Sequence, residues 1–261
     1  MEIRDLDKAD EQLFFKCLED WSDEMAESGS RREAWFARMS ENGLRAKVAI
    51  DDKGVIGGMI QYLPIEQSNA EGAGLHFINC IWVHGYRQGR GNFQGKGMGS
   101  ALLKAAEVDV RSLGSGGMVA WGLSLPFWMR ASWFKKHGYS KVDKVGPSVL
   151  LWKPFSGDAK PPKWISTRNK PVPQDGTVVV TSFNSGWCAA QNLVHERAKR
   201  AAAICGDRVR FEHIDTLDRN TFLEWGIGEA LFVDGKQIRT GPPPSFEKIK
   251  SIIERKVRKL R

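Results

Sequence analysis

Cysteine is scarce in this chain, with four residues in 261, at positions 17, 80, 188 and 205. They form no C-x-x-C pair and no His/Cys cluster at zinc spacing, so neither a dithiol redox pair nor a metal knuckle is encoded. If Cys188 and Cys205 share one helix they lie about 25 Å apart, too far to bridge. No apolar run approaches the roughly 20 residues of a membrane helix. The N-terminus shows no charged-then-apolar leader, so the expectation is a cytoplasmic protein with no membrane contact and no metal.

A one-signed charge field is also missing, although the formal net charge is +8. Residues 1–150 hold 19 basic and 19 acidic side chains. The excess sits in residues 151–170 and 251–261, each with 5 basic against 1 acidic. Such segments are ordinarily solvated, and no aromatic-and-basic recognition motif accompanies them, so no specific nucleic-acid partner is expected. The first 150 residues are polarised. Residues 1–80 carry 9 basic against 16 acidic groups, and residues 81–150 carry 10 against 3.

The chain is long for one domain, and its 41% hydrophobic content is enough for proper cores. A Pro/Lys-rich stretch, 156–176, reads as a semi-rigid linker between domains at 1–155 and 177–261. In the first, Met1 to Asp10 reads as a strand running into a capped helix. Ala46–Asp51 and Val55–Leu63 read as a hairpin turning at Asp52-Lys53-Gly54. Strands follow at Phe77–Val83 and Gly117–Ser124. In the second, strand Thr177–Phe183 leads through Asn184-Ser185-Gly186-Trp187-Cys188 into a helix, Ala189–Cys205. Strand 208–214, a short helix 218–225 and strand 230–233 with an Asp234-Gly235 turn come next. A final helix from Ser245 spaces Phe246, Ile249, Ile252 and Ile253 along one face.

The densest chemistry lies in Gln94-Gly95-Lys96-Gly97-Met98-Gly99-Ser100, between the apolar strand 77–83 and the helical run from Ala101. Glycines at alternate positions leave backbone N–H groups unshielded, and the helix start behind them adds positive partial charge, which makes a cradle for a pyrophosphate. The spacing fits neither G-x-G-x-x-G nor G-x-x-x-x-G-K-[ST].

A strand, then Q-x-x-G-x-G, then a helix resembles the acetyl-coenzyme A loop of the GNAT superfamily of N-acetyltransferases. Ala131 to Tyr139 is similar to the helix end and turn that this family writes L/F-Y-x-x-x-G-F. The β-α-β-α-β-β-α order beyond the linker, with Trp-Cys at the first helix, resembles a thioredoxin fold. The two together look like the YoaP-like proteins. The resemblance implies an α/β (α+β) architecture, a GNAT acyltransferase fold followed by a thioredoxin-like domain. It also implies acetyl-CoA or a related acyl-CoA as co-substrate, and direct acyl transfer to a small amine in a ternary complex.

By that resemblance Gln94, Gly95, Lys96, Gly97, Met98, Gly99 and Ser100 hold the pyrophosphate. The backbone of Ile81, Trp82 and Val83 pairs with the pantetheine arm. His76, beside the position where the family often keeps a general base, is the candidate base; a strand-end histidine satisfied by the backbone explains it too. Asp20, Asp23, Glu24 and Glu27, on the helix that overhangs the acceptor in this family, would suit a cationic amine, as would a solvated helix face.

Several positions depart from the pattern. The proton-donating tyrosine falls on Phe134, and the asparagine seven residues earlier falls on Phe127. The link from His84 to Phe93 is about twice the usual length, either a binding loop or a loose insertion. Gln191 replaces the second thioredoxin cysteine, and Ile227-Gly228-Glu229 stands where a cis-proline is usual, so dithiol exchange is not expected. Cys188, at a helix start, is expected to be a reactive thiol that does not cycle. The rival readings are a thiol-presenting protein that captures a substrate through Cys188, and an acyl-CoA-binding sensor without catalysis.

Overall fold

In a computed structural model that describes residues 1–125, 128–238 and 242–260, the chain divides into two units. Residues 1–21 and 38–165 form the first, and residues 22–37 and 166–261 the second. The helices are α1 (Glu11–Phe15), α2 (Asp23–Ala26), α3 (Arg31–Ser40), α4 (Met98–Ser112), α5 (Ala131–Lys136), α6 (Ala189–Ile204), α7 (Arg219–Trp225) and α8 (Phe246–Val257).

The first unit contains strands β1 (Glu2–Asp5), β2 (Arg45–Ile50), β3 (Ile56–Pro64), β4 (Ala70–Glu71), β5 (His76–Val83), β6 (Gly117–Leu123), β7 (Ser140–Val145), β8 (Ser148–Pro154) and β9 (Lys163–Trp164). Seven of them make one sheet in the order β1-β2-β3-β5-β6-β8-β7, and β4 pairs separately with β9. Every step in the large sheet is antiparallel except β5 to β6.

The β2–β3 hairpin turns where the sequence places it. The Asp51 carboxylate accepts from the amides of Lys53 (2.9 Å) and Val55 (2.8 Å), and Gly54 takes φ +80°. Strand β3 is buried from Ile56 to Leu63, as a central strand covered on both faces must be. Helix α4 lays Leu102, Leu103, Ala106 and Val110 on the sheet beside Ile60, Tyr62 and Ile78. Its outer end is stapled to β2 and β3. Asp109 accepts from the Tyr62 hydroxyl at 2.5 Å and from both Nε and Nη2 of Arg45.

The parallel ladder of β5 and β6 is short. It runs His76–Met118, Phe77–Val119 and Ile78–Ala120, then stops. Both strands continue, β5 on β3 as far as Val83 and β6 on β8 as far as Leu123. Opposite Gln61 and Tyr62 the register shifts, a bulge that bends β5 where the ladder ends. The indole N–H of Trp121 donates to the Asn79 carbonyl at 2.8 Å and closes the apex of the split.

In the second unit, β10 (Val178–Asn184), β11 (Val209–Asp215), β12 (Ala230–Val233) and β13 (Lys236–Ile238) lie in the order β11-β10-β12-β13, with only β10 to β11 parallel. Val178, Val180, Leu231 and Val233 face α6 and α8, through Ala198, Ala202, Ile249 and Ile253. On the opposite face, Phe183 and Phe232 pack with Trp225 at the end of α7.

The unit boundaries differ from the simple division at 156–176. Residues 156–165 stay with the first unit, where Trp164 in β9 donates its amide to Asp143 at 2.8 Å. Residues 166–176 are packed into the second. A side chain on Gly226 would meet the Ser166 carbonyl at 2.0 Å, and one on Gly235 would meet Pro173 at 2.8 Å. Residues 22–37 also belong to the second unit, because Arg197 of α6 pairs with Glu24 at 2.7 Å and Glu27 at 3.4 Å. These long-range pairs carry no periodic signal in the sequence.

Candidate functional site

The mouth of the β5–β6 split opens on a cavity of about 790 Å³ in the first unit. Its floor is the edge of β5 at Ile81, Trp82 and Val83, and one rim is the turn and first helical residues, Gln94, Gly95, Gly97, Met98, Gly99 and Ser100. Past Ile78, among the described residues, no strand pairs with that edge of β5, so its outward N–H and C=O groups can pair with an extended ligand arm.

The turn takes a shape that glycine permits. Gly95 has φ +76° and Gly97, the N-cap of α4, has φ +84°, with no side chain capping the helix. The amides of Met98, Gly99 and Ser100 are first-turn donors with no partner inside the helix. A Cβ added to Gly95 or Gly97 would meet no atom within 4 Å. Together the bare amides and the positive end of a 15-residue helix suit an anion.

Of the residues expected to hold the co-substrate, Lys96 alone is not in the lining. Its ammonium sits over the Phe93 ring, 5.1 Å from the centroid. His76 is not in the lining either. It opens β5, and the five-residue step to Ile81 spans about 17 Å of strand. Its Nδ1 is 3.1 Å from the Ser115 hydroxyl, and burial holds its pKa below the usual histidine value. The ring's partner is thus a side-chain hydroxyl, not the backbone that the strand-end explanation supposes. The parallel pairing that fixes β5 puts its first residue at the closed end of the split.

The acidic run does not form one helix over an acceptor. Chain turns at 16–22 separate α1 from α2. Asp20 is paired with Arg90, both contacts at 3.2 Å. Glu24 and Glu27 meet Arg197, and Glu27 also meets Arg200. Paired carboxylates offer little field to a cationic amine. Asp20, Glu24 and Glu27 therefore lend no support to the cationic-acceptor expectation.

The long link 84–93 is a fixed part of the site. The His84 and Phe93 backbones bond at 2.9 Å, and the His84 amide donates to Gly57 at 2.9 Å. A side chain on Gly57 would strike the Phe93 ring at 2.4 Å, so that ring lies flat on β3. The loop supplies Gly85, Tyr86 and Phe93 to the lining. Trp128, Met129, Arg130, Trp133 and Phe134 supply the facing wall. Sequence reading singles out the 84–93 link and the Phe134 position but misses Trp128, Met129, Arg130 and Trp133 as site members; the signal was the tryptophan density of 121–133.

Phe134 is fully buried against Tyr139 and brings no hydroxyl to the wall. Phe127 lies outside the described residues. Ser100, a lining residue, is bonded to a histidine that is not in the lining. His137 Nδ1 is 2.8 Å from the Trp133 carbonyl, an acceptor only, so Nδ1 carries a proton; in the neutral ring Nε2 then accepts from the Ser100 hydroxyl at 2.9 Å. Among the described residues no group of three or more His, Cys, Asp or Glu side chains could hold a metal, and no helix is long and apolar enough to cross a membrane.

Cys188 belongs to the second unit, as the N-cap of the 16-residue α6, with no side-chain cap bond. Cys205 is at the other end of that helix, and among the described residues none of the four cysteines forms a disulfide. Ahead of β12, Glu229 accepts from the Ser185 hydroxyl (2.6 Å), the Ser185 amide (3.0 Å) and Asn184 Nδ2 (3.2 Å). Burial pushes its carboxyl up to about 7 against those stabilising donors.

No family model matches this sequence, and no curated protein matches it. The chain is similar to several solved structures. A GNAT family acetyltransferase from Brucella melitensis, in complex with acetyl-CoA, is 17% identical, with 61% of this chain and 90% of that chain covered and a TM-score of 0.40. The PaiA N-acetyltransferase from Thermoplasma acidophilum, in complex with coenzyme A, is 18% identical over 59% and 98%, at 0.42. The YhbS GNAT family N-acetyltransferase from Escherichia coli, in complex with CoA, is 14% identical over 62% and 88%, at 0.44. Scores and identities this low leave reaction and substrate to be argued from the site itself.

Proposed function

We propose that this chain is an N-acetyltransferase that takes its acetyl group from acetyl-CoA, with a GNAT fold in the first unit. One observation carries the proposal: a parallel strand pair that splits after three residues, with a glycine-shaped helix start at its mouth. The pyrophosphate of the co-substrate would sit on the amides of Met98, Gly99 and Ser100. Its pantetheine arm would extend β5 along Ile81 to Val83, bringing the thioester into the split. A neutral amine then attacks the thioester carbon. The C–N bond forms, the C–S bond breaks, the amine loses one proton and the departing thiolate gains one. Solvent at the cavity mouth supplies the proton exchange in this reading, since Phe134 cannot.

The second unit is read as thioredoxin-like on its strand order, with Cys188 presented at the start of α6 and no second cysteine at Gln191. Four cysteines in the whole chain without a disulfide among the described residues suit a reducing compartment such as the cytoplasm.

A second reading, a module that binds acyl-CoA without turning it over, is favoured by the same wall. Among the described residues no carboxylate or imidazole lines the cavity. Thiol release from acetyl-CoA, followed over a panel of primary amines, separates the two. Amine-dependent release with an acetylated product supports the enzyme. Tight binding of acetyl-CoA with no release supports the sensor.

A further inference from the structure

Strand alternation gives the cavity two sides. Ile81 and Val83 pack on the cluster that includes Met98 and Leu102 of α4, so Trp82 between them points to the opposite face of the sheet. On that face the rings are connected. Trp82 meets Tyr86 at 6.3 Å, and Tyr86 meets Trp21 at 6.0 Å and His84 at 5.5 Å, the last two edge-to-face. Trp128 stands on the facing wall, edge-on to Trp121 at 5.3 Å.

These rings are exposed yet held. Tyr86 is 45% exposed, Trp21 40% and Trp128 37%. Trp21 is fixed by its bond to His84 and by Gly89, whose missing side chain would fall 1.9 Å from the indole. Aromatic surface that stays open to water while its rings are fixed in place is pre-organised for a ligand. Charge narrows the ligand further. Among the described residues no Asp or Glu lines the cavity, whereas Arg130 does.

We infer that the acceptor is a primary amine carried on an aromatic or similarly flat apolar body with no second positive charge. The inference rests on the acetyltransferase reading. Tyr86 and Trp128 would hold the body, and a carboxylate elsewhere on it would suit Arg130. Polyamines and other polycations would be poor acceptors.

The test compares 2-phenylethylamine, phenylalanine and spermidine as acceptors, by thiol release, in the wild type and in Tyr86→Ala, Tyr86→Phe and Trp128→Ala. The two aromatic amines should exceed spermidine in kcat/KM by at least about tenfold. Tyr86→Ala and Trp128→Ala should each raise KM for 2-phenylethylamine by about tenfold, the equivalent of 1.4 kcal/mol, a typical ring-contact value. Tyr86→Phe, which keeps the ring, should stay near wild type. Spermidine as the best acceptor, or an unchanged KM in both alanine variants, would overturn the inference. So would alanine variants that lose acetyl-CoA affinity but keep affinity for acetyl-phosphopantetheine, because the rings then belong to the adenine. Absence of any acetyl-CoA melting shift in the wild type would instead remove the acetyltransferase reading itself.

Discussion

The indole N–H of Trp21 donates to Nε2 of His84 at 3.1 Å, while His84 Nδ1 donates to the Gly91 carbonyl at 2.8 Å. One donor-only and one acceptor-only partner fix the tautomer of a fully buried imidazole. The pair ties the segment after α1 to the loop that lines the cavity. Trp21→Phe keeps the ring but leaves a buried lone pair without a donor, and should cost about 1–2 kcal/mol in urea unfolding. Stability equal to wild type would mean that the loop is held by its apolar contacts alone.

Asp109 gives the first unit an acid-labile staple. Burial raises its pKa, but hydrogen bonds from Arg45 and Tyr62 outweigh that and hold the carboxyl below its ordinary value. A depressed carboxylate contributes stability above the unfolded pKa of about 3.9 and loses it as pH falls through the folded value. Asp109→Asn should therefore be less stable by about 2 kcal/mol at pH 7 and converge with wild type below pH 4. A constant difference across that range would assign the effect to packing.

Glu229 has the opposite sign. Its pKa is raised by burial to about 7, so its stabilising contribution is complete below the unfolded carboxylate value and is lost as pH rises through 7. Glu229→Gln should gain stability relative to wild type between pH 5 and pH 8. Calorimetric melting at the two pH values checks this; parallel losses in both proteins would show that the carboxyl is ionised throughout.

His76 provides a kinetic control. Its place beside Ser115, at the closed end of the split, predicts that His76→Gln leaves kcat/KM and its acidic limb essentially unchanged, with a small loss of thermal stability. A flattened acidic limb would restore it as the base.

Much of this fold is legible in the sequence because local chemistry writes it. The Asp51-to-Gly54 turn, the glycines before α4 and the apolar face of α8 each act over a few residues. Sequence reading also singles out nine residues that line the cavity, since a glycine turn after a strand is a local pattern. The remainder depends on pairs distant in sequence. Arg197 with Glu24, Trp21 with Gly89 and Arg90 with Asp20 bring together side chains 173, 68 and 70 positions apart. The same holds for His76. Neighbouring a site in sequence does not place it there once β5 runs away from the cavity.

The central claim is that the turn from Gly95 to Ser100 holds the pyrophosphate of acetyl-CoA. The most direct measurement is the acetyl-CoA dependence of thermal unfolding in the wild type and in Gly97→Val. At ligand 100-fold above its dissociation constant the wild type should gain about 2.7 kcal/mol. Gly97→Val puts a branched side chain at φ +84° in the open space before the helix amides, so it should lose some basal stability and all of the ligand-induced gain. An equal gain in both proteins would contradict the assignment.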